Sequence, residues 1–369
     1  MLRLERREQP PRALVAAAPL LALLVTAAVG AVLFALLGAD PLRGLALFFV
    51  EPLGSAGALA ELAIKSTPLI LVALGLSLCF RASVWNIGAE GQFIVGAIAG
   101  GGVAIHVGAH PPRVIVLAVL AAGAAGGALW ASIPAYLRHR FQASEILVSL
   151  MLVYVAELLL DYLVYGPWKD PEGFNFPQTI LFPAATRVPR LVDGLRTNIG
   201  LPIALVAALV VWVFLFRTAR GFELDVFGAA PRAARYAGFP ERRTFFTALL
   251  GAGALAGLAG ALEAAGPLGQ LTPHVPAGYG FAGIIVAFVG RLHPLGVVLS
   301  SVAMSLFYIG GELAQSRLGF PKSLTLVFQG LLLFALLACD SLVHYRVRRR
   351  PAPVPPANAG WAARRPPAG

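Results

Sequence analysis

The chain has 369 residues, of which 58% are hydrophobic and only 13% are charged, and its mean hydropathy is +0.78. Soluble domains average roughly 45–50% apolar residues, so a soluble fold could not bury this much apolar surface. The composition therefore indicates a polytopic membrane protein. Two cysteines, Cys79 and Cys339, each lie in an apolar run, which excludes a disulfide framework and a Cys-based zinc site.

Ten apolar segments are predicted to form membrane-spanning helices, because a span needs about 20 mostly apolar residues. They are 14–38, 62–80, 88–107, 114–136, 145–165, 198–216, 245–265, 280–290, 294–311 and 322–342. The first exceeds the apolar region of about 7–15 residues in a secretory signal peptide, so we expect an uncleaved helix. The eighth is too short to cross as a straight helix, and we expect it to pair with the ninth across a break at 291–294.

Basic residues set the expected orientation of these helices. With the N-terminus inside, the inner segments hold 20 of the 29 Lys and Arg residues, and the outer segments and nearby helix ends hold the other nine. The positive-inside rule therefore predicts that both termini are cytoplasmic. The formal net charge of +11 follows mostly from this topology, and nucleic acid is not an expected partner.

The chain is expected to divide into one membrane domain with two short cytoplasmic ends. Residues 1–13 form a basic arm, residues 14–342 form the transmembrane domain, and residues 343–369 form an Arg- and Pro-rich tail that is predicted to be disordered. The Arg cluster beside the last helix either contacts anionic lipid or serves only topology and solvation, and both interpretations stay open.

Two Gly-rich runs suggest an internal repeat. GAEGQFIVGAIAG begins at Gly88 and GYGFAGIIVAFVG begins at Gly278, on the third and eighth predicted spans. Because an offset of five spans is odd, the two copies would cross the bilayer in opposite directions, as in the inverted repeats of many transporters. Glycine pairs at 96/100, 123/127 and 253/257 predict close helix packing. The predicted fold is therefore an all-α, polytopic bundle of about ten transmembrane helices with inverted repeats.

The run SVWNIGAEGQF, which begins at Ser83, is the most informative stretch. It places Asn86, Glu90 and Gln92 beside two glycines at the start of an apolar helix. The glycines make this helix start easy to unwind, which frees backbone groups to line a polar cavity. Because an ionisable group inside a membrane is costly without a partner or water, Glu90 is a candidate functional residue. The alternative is a helix cap that makes interhelical hydrogen bonds.

This run closely resembles a signature of permease subunits in ATP-binding-cassette (ABC) importers for nucleosides and simple sugars, which are relatives of the ribose and branched-chain amino acid permeases. Two further stretches carry the same resemblance: ASEILVSLML at 143–152, and RGFEL at 220–224 followed by GAAPRAARYAG at 228–238. The resemblance covers nearly the whole membrane region. Trp85 departs from the family, which usually has Phe or Leu there, and the Pro-rich tail is not a family requirement.

The resemblance implies a non-enzymatic permease of the bacterial plasma (inner) membrane, with no catalytic residues and no metal. The residues expected to line its substrate pathway are Trp85, Asn86, Glu90, Gln92, Glu145 and Ser149. The implied partners are cytoplasmic ATP-binding subunits, a second permease subunit in a homo- or heterodimer, and an extracytoplasmic solute-binding protein that delivers a nucleoside or simple sugar. No cofactor is expected in this chain, since the partner ATPase would bind ATP and Mg.

The longest inner loop is predicted to contain a short helix. Pro231 suits the first turn of such a helix, and Gly238 suits its C-terminal cap. In the resembled family, a helix at this place transmits movement from the ATPase to the membrane bundle. The expected coupling residues are Pro231, Arg232, Ala233, Ala234, Arg235, Tyr236 and Gly238. The alternative is a basic loop that serves orientation only.

A phosphate-binding loop for ATP is missing from the sequence. Such a loop needs Gly-x-x-x-x-Gly-Lys-Ser/Thr, whereas only Lys65 and Lys322 precede Ser and neither follows Gly. Energy is therefore expected from a separate subunit or from an ion gradient. In the second case the chain is a secondary transporter coupled to protons or sodium, with Glu90 or Glu145 as the coupling carboxylate.

The other polar residues of the membrane region are interpreted as packing or interface groups. They include Glu263, Gln270, Glu312, Gln315 and Gln329. His106 and His110 have a spacing that could bind a metal, but an exposed helix end is the preferred interpretation.

Overall fold

The computed structural model describes the backbone at residues 2–6, 12–107, 112, 114–192, 194–321 and 323–349, and side chains at 17–107, 112, 114–192, 194–321 and 323–339. In chain order its elements are β1 (Leu2–Arg6), α1 (Arg12–Leu36), α2 (Pro41–Phe49), α3 (Ala56–Arg81), α4 (Ala89–His106), α5 (Ile115–Phe141), α6 (Glu145–Tyr165), α7 (Gly200–Arg217), α8 (Ala219–Ala229), α9 (Pro231–Tyr236), α10 (Glu241–Glu263), α11 (Tyr279–Val289), α12 (Pro294–Leu318), α13 (Ser323–His344) and β2 (Tyr345–Arg349). A 3₁₀ turn at Glu51–Leu53 follows α2, and a π-helical turn at Ala264–Leu268 follows α10.

Every one of the ten predicted spans overlaps a helix, but the helices differ in their capacity to cross a membrane. In the described residues, seven helices are long and apolar enough to do so: α1, α3, α5, α6, α7, α10 and α12. The apolar helix α11 is shorter, and α4 is not among the seven. For α13, which runs to His344, only Ser323–Cys339 has described side chains, and that stretch is apolar. The structure therefore shows a helical membrane protein with seven candidate full-length spans in the described residues, and the predicted spans on α4, α11 and α13 are not among them.

Local sequence explains where several helices begin and end. The side chains of Ser55 and Thr218 accept hydrogen bonds from the first-turn N–H groups of α3 and α8, which satisfies donors that a helix start leaves free. The predicted break at 291–294 is confirmed: Arg291 and Leu292 both have a φ of 53°, and α12 starts at Pro294. Two apolar helices, α11 and α12, therefore flank a sharp turn.

The core lies around α3, which packs against α7, α10, α11 and α12. Every residue of α3 from Ser66 to Phe80 is buried. Helix α10 also packs against α4 and α5, and α6 lies against the same two helices. Helices α1 and α13 pack against each other. An apolar helix that is buried on all sides, as α3 is from Ser66 to Phe80, is typical of the centre of a bundle.

Backbone contacts between glycines hold α4, α5 and α10 together. A Cβ on Gly96 would lie 2.2 Å from the Cα of Gly257, and a Cβ on Gly127 would lie 2.2 Å from the carbonyl oxygen of Gly253. In lipid, such close approach drives helix association through dispersion contacts. The close packing predicted from the glycine spacings is confirmed for these three helices.

The two Gly-rich helices of the predicted repeat meet at their N-terminal ends. Glu90, at the start of α4, contacts Gly280, at the start of α11, whereas Arg81 before α4 donates a hydrogen bond to the carbonyl of Leu292 after α11. The two helices therefore lead away from their junction in opposite directions. With about 1.5 Å rise per residue, α11 covers roughly half of a 30 Å hydrocarbon core, so it is too short to cross the membrane alone.

The two ends of the described chain pair with each other. β1 and β2 form an antiparallel two-stranded sheet in which Leu4 is opposite Val347. The structure begins α1 at Arg12 and places the end of α13 and β2 at residues 343–349, within the segments expected to be the arm and the tail. The division into arm, membrane domain and tail stays a prediction. Residues 350–369 of that tail lie outside the described residues.

Candidate functional site

The junction of α4 and α11 is organised by one carboxylate. Glu90 is 1% exposed, and its side chain accepts hydrogen bonds from the backbone N–H groups of Gly278, at 2.9 Å, and Gly280. The positive end of the α11 dipole and these free N–H groups favour an anion at this place. Glu90 is therefore the N-terminal cap of α11, which agrees with the helix-cap alternative for this residue.

A pair of side-chain amides lies beside this cap. Asn86 donates to the Gln92 side-chain oxygen at 3.0 Å, and Gln92 donates to the Asn86 oxygen at 3.1 Å. The same Asn86 oxygen accepts from the backbone N–H of Gly88 at 3.1 Å. Both amides are buried and bonded to each other, so they fix the path of the chain into α4.

The other predicted pathway residues lie in three different places. Ser149 on α6 is buried against the start of α4, where a Cβ on Gly88 would lie 2.8 Å from the Ser149 Cβ. Trp85 is 45% exposed, and its ring centroid lies 5.4 Å from that of Phe80. Glu145, at the first turn of α6, forms an ion pair with Arg138 at 3.0 Å.

A cavity of about 530 Å³ opens beside Glu145. Its lining comes from the ends of α5 and α8, the starts of α6 and α10, the 83–84 segment and α9: Ser83, Val84, Arg138, His139, Gln142, Glu145, Phe227, Arg235, Glu241, Arg242, Phe245 and Phe246. The lining includes Arg138, Arg235 and Arg242, which belong to segments predicted to lie on the cytoplasmic side. We call this space the inner cavity.

The predicted short helix of the inner loop is present as α9. Pro231 is its first residue, and Gly238, just beyond its end, has a φ of +81°. Ala234 is buried, Tyr236 is 98% exposed, and Arg235 forms an ion pair with Glu241 at 2.8 Å. Helix α9 therefore packs against the rest of the protein through Ala234, and the larger side chains of Arg235 and Tyr236 are exposed.

The preceding helix α8 is fixed to the end of α3. The Arg81 guanidinium forms an ion pair with Asp225 at 2.9 Å, and the Ser83 hydroxyl donates to the carbonyl of Gly228 at 3.0 Å. Helix α9 directly follows α8, and α8 contacts residues 81–83, which lead into α4. These contacts connect α9 to the start of α4.

Comparison with known proteins decides the family. The model of the family described as branched-chain amino acid transport system / permease component matches residues 58–337. The chain belongs to this permease family. The resemblance seen in the three sequence motifs is thereby confirmed, and the permease is a multi-pass subunit of an ABC transporter.

Curated relatives cover nearly the whole permease. The glucose ABC transporter permease protein TsgB13 of Haloferax volcanii is 35% identical over 94% of this chain and 93% of its own length. The guanosine ABC transporter permease protein NupP of Bacillus subtilis is 32% identical over 82% of this chain and 88% of its own. The nucleoside ABC transporter permease protein NupB of Lactococcus lactis is 28% identical over 86% and 89%. No solved structure matches the permease significantly.

Sequence reasoning did not single out one buried polar residue, Tyr279. In the described part of the permease no group of three or more His, Cys, Asp or Glu side chains is placed to hold a metal ion. Glu263 and Gln329, which were interpreted as packing or interface groups, are buried. Tyr279, which was not considered, is buried too. Tyr279 directly follows the Gly278 that Glu90 caps, so its place in the predicted repeat was the signal available in the sequence.

Proposed function

We propose that this permease forms the membrane path of an ATP-driven importer for a nucleoside or a simple sugar. The observation that carries the proposal is the similarity to a glucose permease protein and a guanosine permease protein, each over more than four fifths of this chain. Both kinds of solute are neutral and rich in hydroxyl groups. The gradient-driven alternative finds no support in these relatives.

The proposed assembly has two permease subunits, which are identical or paralogous, two cytoplasmic ATP-binding subunits and an extracytoplasmic solute-binding protein. The permease has no cofactor and no enzymatic activity of its own, because the partner ATPase binds ATP and Mg. Contact with the ATPase is made by Pro231, Arg232, Ala233, Ala234, Arg235, Tyr236 and Gly238. The exposed Tyr236 and Arg235 on a helix seated through Ala234 support this role.

We place the permease in the bacterial plasma membrane with both termini in the cytoplasm. The positive-inside distribution of Arg supports this orientation. Pairing of β1 with β2 supports the placement of both termini on one side, because the two strands can meet only if both ends lie there. Both ends on one side require an even number of crossings, and the proposed number of ten is reached if α4, α11 and α13 cross in addition to the seven candidate spans.

The proposed solute path passes the junction of α4 and α11 and opens into the inner cavity. Asn86, Glu90 and Gln92 set the shape of this junction, and Ser149 holds α6 against it. Glu145 lies in the wall of the inner cavity, and the partly exposed Trp85 follows Ser83 and Val84, which line it.

Uptake by the reconstituted complex tests this proposal. Proteoliposomes that contain the permease, its ATPase and its solute-binding protein should accumulate radiolabelled guanosine or glucose when ATP is supplied inside. A protonophore should leave this uptake intact, because no proton gradient drives it. Accumulation by the purified permease alone, or uptake abolished by the protonophore, would contradict the proposal.

A further inference from the structure

Helix α6 lies at the edge of the permease. In its most apolar stretch 22% of the residues are buried, against 89% in the central helix α3. It packs against α4 and α5, and its buried residues recur every three or four positions along one face: Ser149, Val153, Ala156, Leu160 and Val164. The rest of its surface is therefore open to whatever surrounds the subunit in the membrane.

Polar side chains follow a second face of α6. Tyr154, Glu157, Asp161 and Tyr165 are spaced at i, i+3, i+7 and i+11, which places them along one side of the helix. Tyr154 and Tyr165 are 55% and 59% exposed, and the two carboxylates between them are partly buried. We call these four residues the α6 polar stripe.

The α6 polar stripe has no partner within the permease as far as the structure describes it. In the described residues, the hydroxyls of Tyr154 and Tyr165 form no hydrogen bond, and Glu157 and Asp161 form neither a hydrogen bond nor an ion pair. A carboxylate inside a membrane is costly without a partner or water. The stripe therefore requires an explanation from outside the subunit.

Depth in the membrane excludes the interface as that explanation. Helix α6 has 21 residues, so at about 1.5 Å per residue its length is close to the 30 Å thickness of a hydrocarbon core. Glu157 precedes the last residue of α6, Tyr165, by about 12 Å of helix. The long side chains of Lys and Arg can extend from the hydrocarbon to the interface, but a glutamate is too short for this distance. Tyr154 lies still deeper, although tyrosines in membrane proteins favour the interface.

Helix α7 shows the chemistry of a surface that suits lipid. Between Leu201 and Phe216 it has no charged residue and no hydroxyl group, and Val206, Leu209 and Val210 are among its exposed side chains. In its most apolar stretch 28% of the residues are buried, which is close to the value for α6. The two helices therefore differ in chemistry and not in burial, and the α6 polar stripe does not suit contact with hydrocarbon.

We propose that the α6 polar stripe is the contact face for a membrane helix of the second permease subunit. The inference rests on the proposed function, which includes that subunit, and it identifies where the subunit docks. The stripe determines the chemistry of the partner helix: hydroxyl, amide or basic donors at the depth of Glu157 and Asp161 would satisfy both carboxylates. In lipid, such interhelical hydrogen bonds contribute to association that the hydrophobic effect does not drive.

The α6 polar stripe is also complementary to itself. It carries two hydroxyl donors and two carboxylate acceptors within three turns of helix. In a two-fold symmetric dimer the same patch of both subunits makes the contact, so each donor of one copy can meet an acceptor of the other. A paralogous permease needs only comparable donors at the same depth.

Photo-crosslinking in the purified transporter complex tests the contact. Tyr154→p-benzoylphenylalanine should give a covalent adduct with the second permease subunit on near-UV irradiation, and mass spectrometry identifies that subunit. Leu209→p-benzoylphenylalanine is the matched control on α7, because Leu209 is 60% exposed against 55% for Tyr154, and it should not give this adduct. Absence of the adduct at position 154, or an equal yield at both positions, would overturn the inference.

Removal of the two carboxylates distinguishes a partner helix from lipid. If lipid covered the stripe, Glu157→Leu with Asp161→Leu would leave the assembly unchanged, because leucine suits hydrocarbon better. At the proposed contact, the double variant should lower the ratio of second permease subunit to tagged permease in the purified complex roughly tenfold. A second epitope tag distinguishes the two copies if the subunits are identical. The yield of monodisperse permease should not fall.

The control for this double variant is Val206→Leu with Val210→Leu on α7, which should change neither the subunit ratio nor the yield. An unchanged subunit ratio in Glu157→Leu with Asp161→Leu would contradict the proposed contact while leaving the proposed function intact. A wild-type complex that transports solute with only one permease subunit would instead contradict the proposed assembly.

Discussion

The carboxylate of Glu90 accepts a hydrogen bond from the backbone N–H of Gly278 at 2.9 Å, although 188 positions separate the two residues in the chain. One residue begins the first Gly-rich helix and the other precedes the second. The bond therefore ties the two halves of the predicted repeat at the point where their helices diverge. This junction is a long-range polar contact between the starts of α4 and α11.

Loss of this carboxylate should destabilise the permease. Glu90→Ala leaves two buried backbone N–H groups without acceptors, at roughly 1–3 kcal/mol each, so we expect a loss of about 3 kcal/mol. Glu90→Gln keeps one acceptor oxygen and should cost less. Melting temperature in detergent measures the effect, with Glu172→Ala in the exposed outer loop as the control. Equal stability of the alanine variant and wild type would contradict the capping role.

Gly280 should not tolerate any side chain. A Cβ there would lie 2.2 Å from the backbone nitrogen of Glu90, which cannot move aside as a flexible side chain could. Gly280→Ala should therefore destabilise the fold by at least about 3 kcal/mol and lower the yield of monodisperse protein. Gly330→Ala is the matched control, because no atom lies within 4 Å of its added Cβ and alanine favours helix. Similar yields of the two variants would show that α4 and α11 are less closely packed.

The amides of Asn86 and Gln92 should behave as a coupled pair. Asn86→Ala and Gln92→Ala each leave a buried amide without its partner, whereas the double variant removes both amides. The double variant should therefore lose less stability than the sum of the single variants, with a coupling energy of about 1–2 kcal/mol. A double-mutant cycle of unfolding free energies measures this coupling. Strict additivity would show that the two side chains act independently.

Charge reversal on α9 should separate assembly from folding. The Arg235–Glu241 ion pair is largely exposed and contributes little to stability, so Arg232→Glu with Arg235→Glu should barely change the melting temperature. The same double variant should release the ATPase during purification of the complex. Arg140→Glu, on the exposed inner end of α5, is the control for charge reversal elsewhere. Retention of the ATPase by the double variant would contradict the assignment of α9 as its contact.

Sequence reasoning succeeded where the signal was local. Pro231 and Gly238 were enough to predict α9, and a short apolar run before Pro294 was enough to predict the break between α11 and α12. It failed where the deciding atom was a distant backbone group. The acceptors and donors around Glu90 and Tyr279 depend on which helices become neighbours, and backbone N–H groups leave no mark in the sequence. The burial of Tyr279 with a hydroxyl that has no hydrogen-bond partner in the described residues could therefore emerge only from the three-dimensional arrangement.

The glycine contacts among α4, α5 and α10 have a mechanical consequence. Gly96 on α4 contacts Gly257 on α10, and Gly127 on α5 contacts Gly253 on α10, through backbone atoms. At these points no glycine side chain separates the helices. We expect α4, α5 and α10 to move as one rigid body, because sliding one helix past another would bring backbone atoms into steric clash. If α9 contacts the ATPase as proposed, a movement of α9 would reach these three helices as a unit, and the bending would fall in the irregular segments 237–240 and 264–278 that flank α10.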